Sequence, residues 1–126
     1  METELSIQQV ADLTGLSIDT LRYYERIGLL EPVGRASSGH RRYRQRDLDW
    51  IRLLIDLRAT GMPIAQMLHF AELRRKGDAT AVERLRILEE HQRTLEQQMQ
   101  KVEQHKAALQ RKIEHKKAFL DQREES

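Results

Sequence analysis

Within SIDTLRYYERIGLLEP, residues 17–32, two arginines and two tyrosines crowd into the short run from Arg22 to Arg26. These residue types suit a polyanion. A guanidinium fork binds phosphate or a guanine edge bidentately, and a phenol donates to phosphate while its ring lies along the sugar. The following PVGRASSGHRRYRQRDL adds Arg35, Arg41, Arg42, Arg44 and Arg46. Residues 22–46 thus hold seven arginines against Glu25 and Glu31, a local formal charge of seven minus two, or +5. The whole chain of 126 residues carries only +2, and residues 77–126 hold ten basic and ten acidic side chains. The positive field is therefore local, as in a nucleic-acid footprint. A lone arginine and tyrosine would more often be solvated surface; their density here reverses that preference.

Other chemistries find no residues to carry them. The chain has no cysteine, which removes disulfides, thiolate metal sites and thiol redox chemistry, and its five histidines are scattered. Paired acids, a nucleophile with its base and a glycine-rich phosphate loop are all missing, so neither an enzyme nor a cofactor is expected. No apolar run reaches the roughly 18 residues of a membrane span, and the polar METELS is no signal peptide, so no membrane partner and a cytoplasmic protein are expected. Charged residues make up 33% and aromatics 5% of the chain, a balance that favours solvated helices over sandwiches or barrels.

The elements that position the basic run are short helices. SIQQVADLTGL places Ile7, Val10 and Ala11 on one face, with Ser6 as N-cap and Gly15 as stop. A second helix starts at once, capped by Ser17, with Asp19 in the first turn where the helix dipole favours an acid. Leu21 and Tyr24, with Leu16 and Ile27, turn inward, leaving Asp19, Arg22, Tyr23 and Arg26 on the opposite side. Two short helices joined by TGLS form a helix-turn-helix pattern. The turn-forming ASSG between VGR and HRRYR predicts a hairpin wing that lays Arg41, Arg42 and Arg44 along a phosphate backbone, with Tyr43 anchoring the strand. DLDWIRLLIDLRAT, residues 47–60, predicts a third helix with Leu48, Ile51, Leu54 and Ile55 on helical spacing and Trp50 in the packing. A fourth follows Pro63, closes the core with Met67, Phe70 and Leu73, and stops at Gly77. Its His69 reads as surface, and Arg74, Arg75 and Lys76 as a second basic cluster, ordinarily a solvated helix end and alternatively a second phosphate contact.

Beyond Gly77 there is neither glycine nor proline. Steps of three and four pick out Leu85, Leu88, Gln92, Leu95, Met99, Val102, Lys106, Leu109, Ile113, Lys116 and Leu120, a heptad seam. Such a seam needs a second copy of the chain. In a parallel pair Lys106 and Lys116 each meet their own copy; an antiparallel pair sets Met99 against Val102 and Leu95 against Lys106, where the lysine stem can cover a leucine. Sliding by one heptad instead sets Leu95 against Ile113 and Gln92 against Lys116.

SIQQVADLTGLSIDTLRYYERIGLLEPVGRASSGHRRYRQRDLDWIRLLIDLRATGM resembles the MerR family of bacterial transcription regulators, most specifically in TLRYYERIGLL followed by GHRRY. GMPIAQMLHFAELRRKGDATAVERLRILEEHQRTLEQQMQKVEQHKAALQRKI is similar to its aldehyde- and nitrosative-stress-type subgroup. The resemblance implies a mainly α fold, with a winged helix-turn-helix DNA-binding domain over residues 1–76, a dimerisation helix over 79–120 and a short polar tail over 121–126. The long helices would pair as an antiparallel coiled coil through Leu85, Leu88, Leu95, Met99, Val102, Leu109, Ile113 and Leu120. It further implies a homodimer on a pseudopalindrome in promoter double-stranded DNA, activation by bending and untwisting that DNA, and RNA polymerase as a partner. The expected DNA contacts are Ser17, Asp19, Thr20, Arg22, Tyr23 and Arg26 on the second helix, with Arg41, Arg42 and Tyr43 on the wing. Where that subgroup commonly has a cysteine before GM, this chain has Asp56, so the signal stays unassigned. An architectural or excision-type DNA-bending protein with the same fold, and a coiled-coil adaptor for an acidic protein, are the competing readings.

Overall fold

A computed structural model of the chain describes residues 4–31 and 42–125. The helices are α1 (Ile7–Thr14), α2 (Ile18–Ile27), α3 (Gln45–Ala59), α4 (Ile64–Arg75) and α5 (Ala81–Glu125), with a 3-10 turn at Gly77–Thr80 before α5. The chain forms two compact units, Met1–Leu85 and Arg86–Ser126.

Local chemistry sets the ends of the first two helices. Ser6 Oγ accepts the Gln9 N–H at 3.1 Å while Gln9 Oε1 accepts the Ser6 N–H at 2.8 Å, a reciprocal capping box. Gly15, at φ 77°, ends α1 in the left-handed conformation that favours glycine. Ser17 caps α2, and Gly28, at φ 94°, ends it. The Asp47 carboxylate accepts the Arg44 N–H at 2.8 Å, which starts α3 at Gln45, two residues ahead of the expected Asp47.

The first unit buries one apolar cluster. Val10, Leu21, Ile51, Leu54, Met62 and Met67 are fully covered, and Leu48, Leu57, Phe70 and Leu73 are buried beside them. Trp50 stacks on Phe70 with ring centroids 5.7 Å apart. These side chains come from all four short helices and, with Met62, from the turn between α3 and α4; α3 packs against α1, and α4 against α3.

The expected wing is described only in part, and the long helix has other ends than expected. VGR, the ASSG turn, Arg35 and Arg41 lie outside the described residues. Of HRRYR, residues 42–44 are described, and there Tyr43 makes an isolated antiparallel bridge to Leu5, with N···O distances of 2.6 and 2.7 Å. The long helix begins at Ala81 rather than 79, because Gly77, at φ 80°, and the tight turn after it precede the α-helical hydrogen bonds. It then continues to Glu125, through the residues expected as a polar tail, since nothing in DQREE breaks a helix. The first compact unit runs to Leu85 and so includes the start of this helix.

The start of α5 is fastened locally. The Thr80 hydroxyl lies 2.5 Å from the Leu73 carbonyl and 2.9 Å from that of Gly77. Arg84 donates to Thr80 Oγ1 at 3.1 Å and to the Gly77 carbonyl at 3.2 Å. Farther along α5, Met99, Val102, Leu109, Ile113 and Leu120 are exposed, as is Leu85 in the first unit, whereas Leu88 and Leu95 are half-buried. No helix among the described residues is long and apolar enough to cross a membrane.

Candidate nucleic-acid interface

Helix α2 sorts its side chains as an amphipathic helix must. Leu21 and Tyr24 enter the core, while Asp19, Arg22, Tyr23 and Arg26 remain exposed on one face. Arg26 lies over the Tyr23 ring, 5.5 Å from its centroid, and the Tyr23 and Tyr24 rings meet at 6.2 Å and 46°. The buried Tyr24 thus packs beside a Tyr23 that is 43% exposed. A guanidinium poised over a phenol is well placed to accept a phosphate between them.

Ser17 and Thr20 sit at the N-terminal end of this face but spend their polar atoms locally. Ser17 Oγ accepts the Thr20 N–H at 3.0 Å and donates to Thr20 Oγ1 at 2.9 Å. Ser17 is exposed and Thr20 half-buried. Behind them a shallow groove between α1 and α2 is lined by Gln8, Asp12, Gly15, Leu16, Ser17 and Asp19.

Two expected wing contacts are described, and they behave differently. Arg42 is exposed and pairs with Glu4 at 3.2 Å, so part of the wing's charge is already met within the chain. Tyr43, expected as a DNA contact, is only 1% exposed. That burial suits the strand-anchoring role read from the sequence: the bridge to Leu5 sets this ring in the core, and the exposed neighbours are Arg42 and Arg44. Arg41 lies outside the described residues.

The basic cluster at the end of α4 is only partly solvated, with Arg75 and Lys76 exposed and Arg74 half-buried. Arg74 lies over the Trp50 ring at 4.6 Å, and burial lowers its pKa against the opposing pull of Glu31 and Asp47. Arg75 donates to the Gly28 carbonyl and stands 3.5 Å from the Glu31 carboxylate. The Trp50 indole N–H donates to the Leu29 carbonyl at 2.8 Å. Arginines in a last helical turn commonly bind carbonyls, but nothing local points to carbonyls belonging to a different helix. Among the described residues no group of three or more His, Cys, Asp or Glu is arranged to hold a metal.

A helix-turn-helix is also what comparison with other proteins finds. A family model described as MerR family regulatory protein matches residues 6–43. The HTH-type transcriptional regulator AdhR of Bacillus subtilis (strain 168) is 42% identical over 93 residues, 73% of this chain and 66% of that regulator's length. An uncharacterised HTH-type transcriptional regulator of Haemophilus influenzae is 36% identical over 105 residues, covering 83% of this chain and 78% of the relative. Among solved structures, HiNmlR, a MerR family regulator lacking the sensor domain and crystallised bound to promoter DNA, superposes with a TM-score of 0.79 at 34% identity over 88% of each chain. A MerR family regulator from Bacillus thuringiensis superposes at 0.77 with 30% identity over 88% of this chain and 97% of that one. Over matches of that extent, with helix-turn-helix and long helix alike, the chain belongs to the MerR family of DNA-binding transcription regulators.

Proposed function

We propose that the protein is a cytoplasmic, homodimeric transcription regulator that binds a pseudopalindromic promoter site in double-stranded DNA and acts with RNA polymerase by distorting that DNA. The observation that carries this reading is the face of α2, where Arg22, Tyr23 and Arg26 are exposed on a helix capped at both ends and packed from beneath. A seam of exposed apolar residues along α5 supports the dimer, since a solvated helix has no use for Leu85, Met99, Val102, Leu109 and Ile113 at heptad spacing. The promoter DNA bound to HiNmlR supports the ligand class. Arg22 reads a base edge, while Arg41, Arg42 and Arg26 neutralise phosphates. Asp19, Ser17 and Thr20 frame the entry of α2, and Leu88, Leu95 and Leu120 complete the seam.

Sites recovered by selection from random duplexes provide the test. Arg22→Ala lowers affinity for the selected site by about 1 to 3 kcal/mol and relaxes preference at one position of each half-site. Arg41→Ala weakens selected and unrelated duplexes alike and flattens the salt slope by about one per contact per subunit. Unchanged isotherms for both variants sink this assignment. Binding without sequence preference replaces it with an architectural role, and no binding at moderate salt with an adaptor role.

A further inference from the structure

The end of α2 is held in an unusual way. Beyond Gly28 the chain can no longer satisfy its carbonyls within the helix, and the next two in line, those of Gly28 and Leu29, are taken by side chains remote in sequence. Arg75, from the last turn of α4, donates to Gly28. Trp50, from α3, donates its indole N–H to Leu29 at 2.8 Å. The two donors are themselves supported: Arg75 stands 3.5 Å from Glu31, and Arg74 lies over the Trp50 ring at 4.6 Å. A Cβ on Gly28 would come within 3.9 Å of both Arg75 and Leu68, so α4 lies directly against this turn.

Successive carbonyls gripped from two different helices leave α2 little freedom to rock about its own axis. That freedom matters for readout. A phosphate contact on a flexible arginine tolerates a shift of about an ångström, whereas a bidentate bond to a base edge is directional and does not.

Resting on the reading of α2 as the helix that meets DNA, we propose that Arg75 and Trp50, with Arg74 behind them, are positioning residues for base selection. They aim the face of α2 and make no contact with DNA themselves. Trp50 is 6% exposed and cannot reach a phosphate. Arg75 is exposed enough that a phosphate contact is the rival explanation, and the two roles predict different salt behaviour.

The test uses the full-length protein with Arg75→Met and Trp50→Phe, each titrated with a selected duplex and an unrelated duplex of equal length over a salt series. The expected result for both variants is a loss of about fivefold to tenfold on the selected duplex, the scale of one charge-assisted or buried hydrogen bond, with unrelated DNA within about twofold and the salt slope unchanged. In the same proteins, without DNA, exchange of the Leu29 and Leu30 amides, both bonded to the Tyr24 carbonyl, accelerates while core amides of α3 stay protected. Equal losses on both duplexes with a shallower salt slope for Arg75→Met make Arg75 a phosphate contact and overturn the proposal. Unchanged affinities with unchanged amide exchange also overturn it. Arg22→Ala, run alongside, judges the underlying reading separately. If that variant binds normally, α2 is not the reading helix, and faster exchange at Leu29 and Leu30 then shows a clamp with no part in base selection.

Discussion

At the scale of single residues, the polar atoms near the interface divide into those already engaged and those left for a ligand. Ser17 is engaged twice with Thr20, as acceptor and as donor, and its main work is to start α2. Ser17→Ala therefore lowers stability by about 1 kcal/mol, measured as a shift in the urea midpoint. Its loss of DNA affinity, titrated under conditions where the variant is folded, is smaller than that of Arg22→Ala. A larger affinity loss from Ser17→Ala than from Arg22→Ala would make the hydroxyl itself a DNA contact. Arg42 shows the intermediate case. Its pairing with Glu4 at 3.2 Å is exposed on both sides and contributes little to folding, so a phosphate can replace the carboxylate at small cost. Glu4→Gln accordingly strengthens binding to any duplex by less than about 1 kcal/mol, and an unchanged or weaker isotherm counts against Arg42 as a phosphate contact.

At the scale of elements, α5 poses the question of register. Its 45 residues form one helix, about 68 Å long at 1.5 Å per residue. With Met99 facing Val102 in an antiparallel pair, the flanking Glu96 of one copy stands against Glu103 of the other, twice by symmetry. Those like charges oppose the pairing that the seam lysines favour, so Glu103→Lys is diagnostic. In this register it turns two repulsions into attractions and raises dimer stability by about 1 kcal/mol. Slid by one heptad, Glu103 faces its own copy and the substitution only exchanges one like pair for another. In a parallel pair it faces Gln98 and changes little. Sedimentation equilibrium of the variant separates the three. Met99→Cys combined with Val102→Cys crosslinks 99 to 102 in the favoured register, and efficient self-crosslinking of Lys116→Cys establishes a parallel pair in its place.

At the scale of the whole molecule, the charge of the protein is concentrated rather than large. A net +2 hides a +5 segment, so affinity for any DNA falls steeply with salt even though the protein is nearly neutral overall. The chain also holds no thiol. Thiol-directed electrophiles such as aldehydes and nitric oxide donors therefore leave the operator affinity of the purified protein unchanged, despite a subgroup resemblance that points to such signals. Fluorescence anisotropy before and after treatment checks this, with mass spectrometry to exclude lysine adducts. A direct and reversible change in affinity without such adducts refutes it.

What was legible from the sequence is what short-range physics controls. Ser6 and Gly15 mark the ends of α1 and Ser17 the start of α2, because a cap is decided within three or four residues and a left-handed φ strongly favours glycine. The sorting of Leu21 and Tyr24 from Arg22, Tyr23 and Arg26 likewise follows from the 3.6-residue period. Tertiary structure alone decided three things: that the strand anchored by Tyr43 pairs with Leu5, that Arg42 finds Glu4, and that Trp50, Arg74 and Arg75 hold the exit of α2. The physical reason is separation along the chain. The donors to Leu29 and Gly28 come from 21 and 47 residues away, and no periodicity or cap rule says which distant carbonyl a terminal arginine or a core indole will meet until the helices have packed.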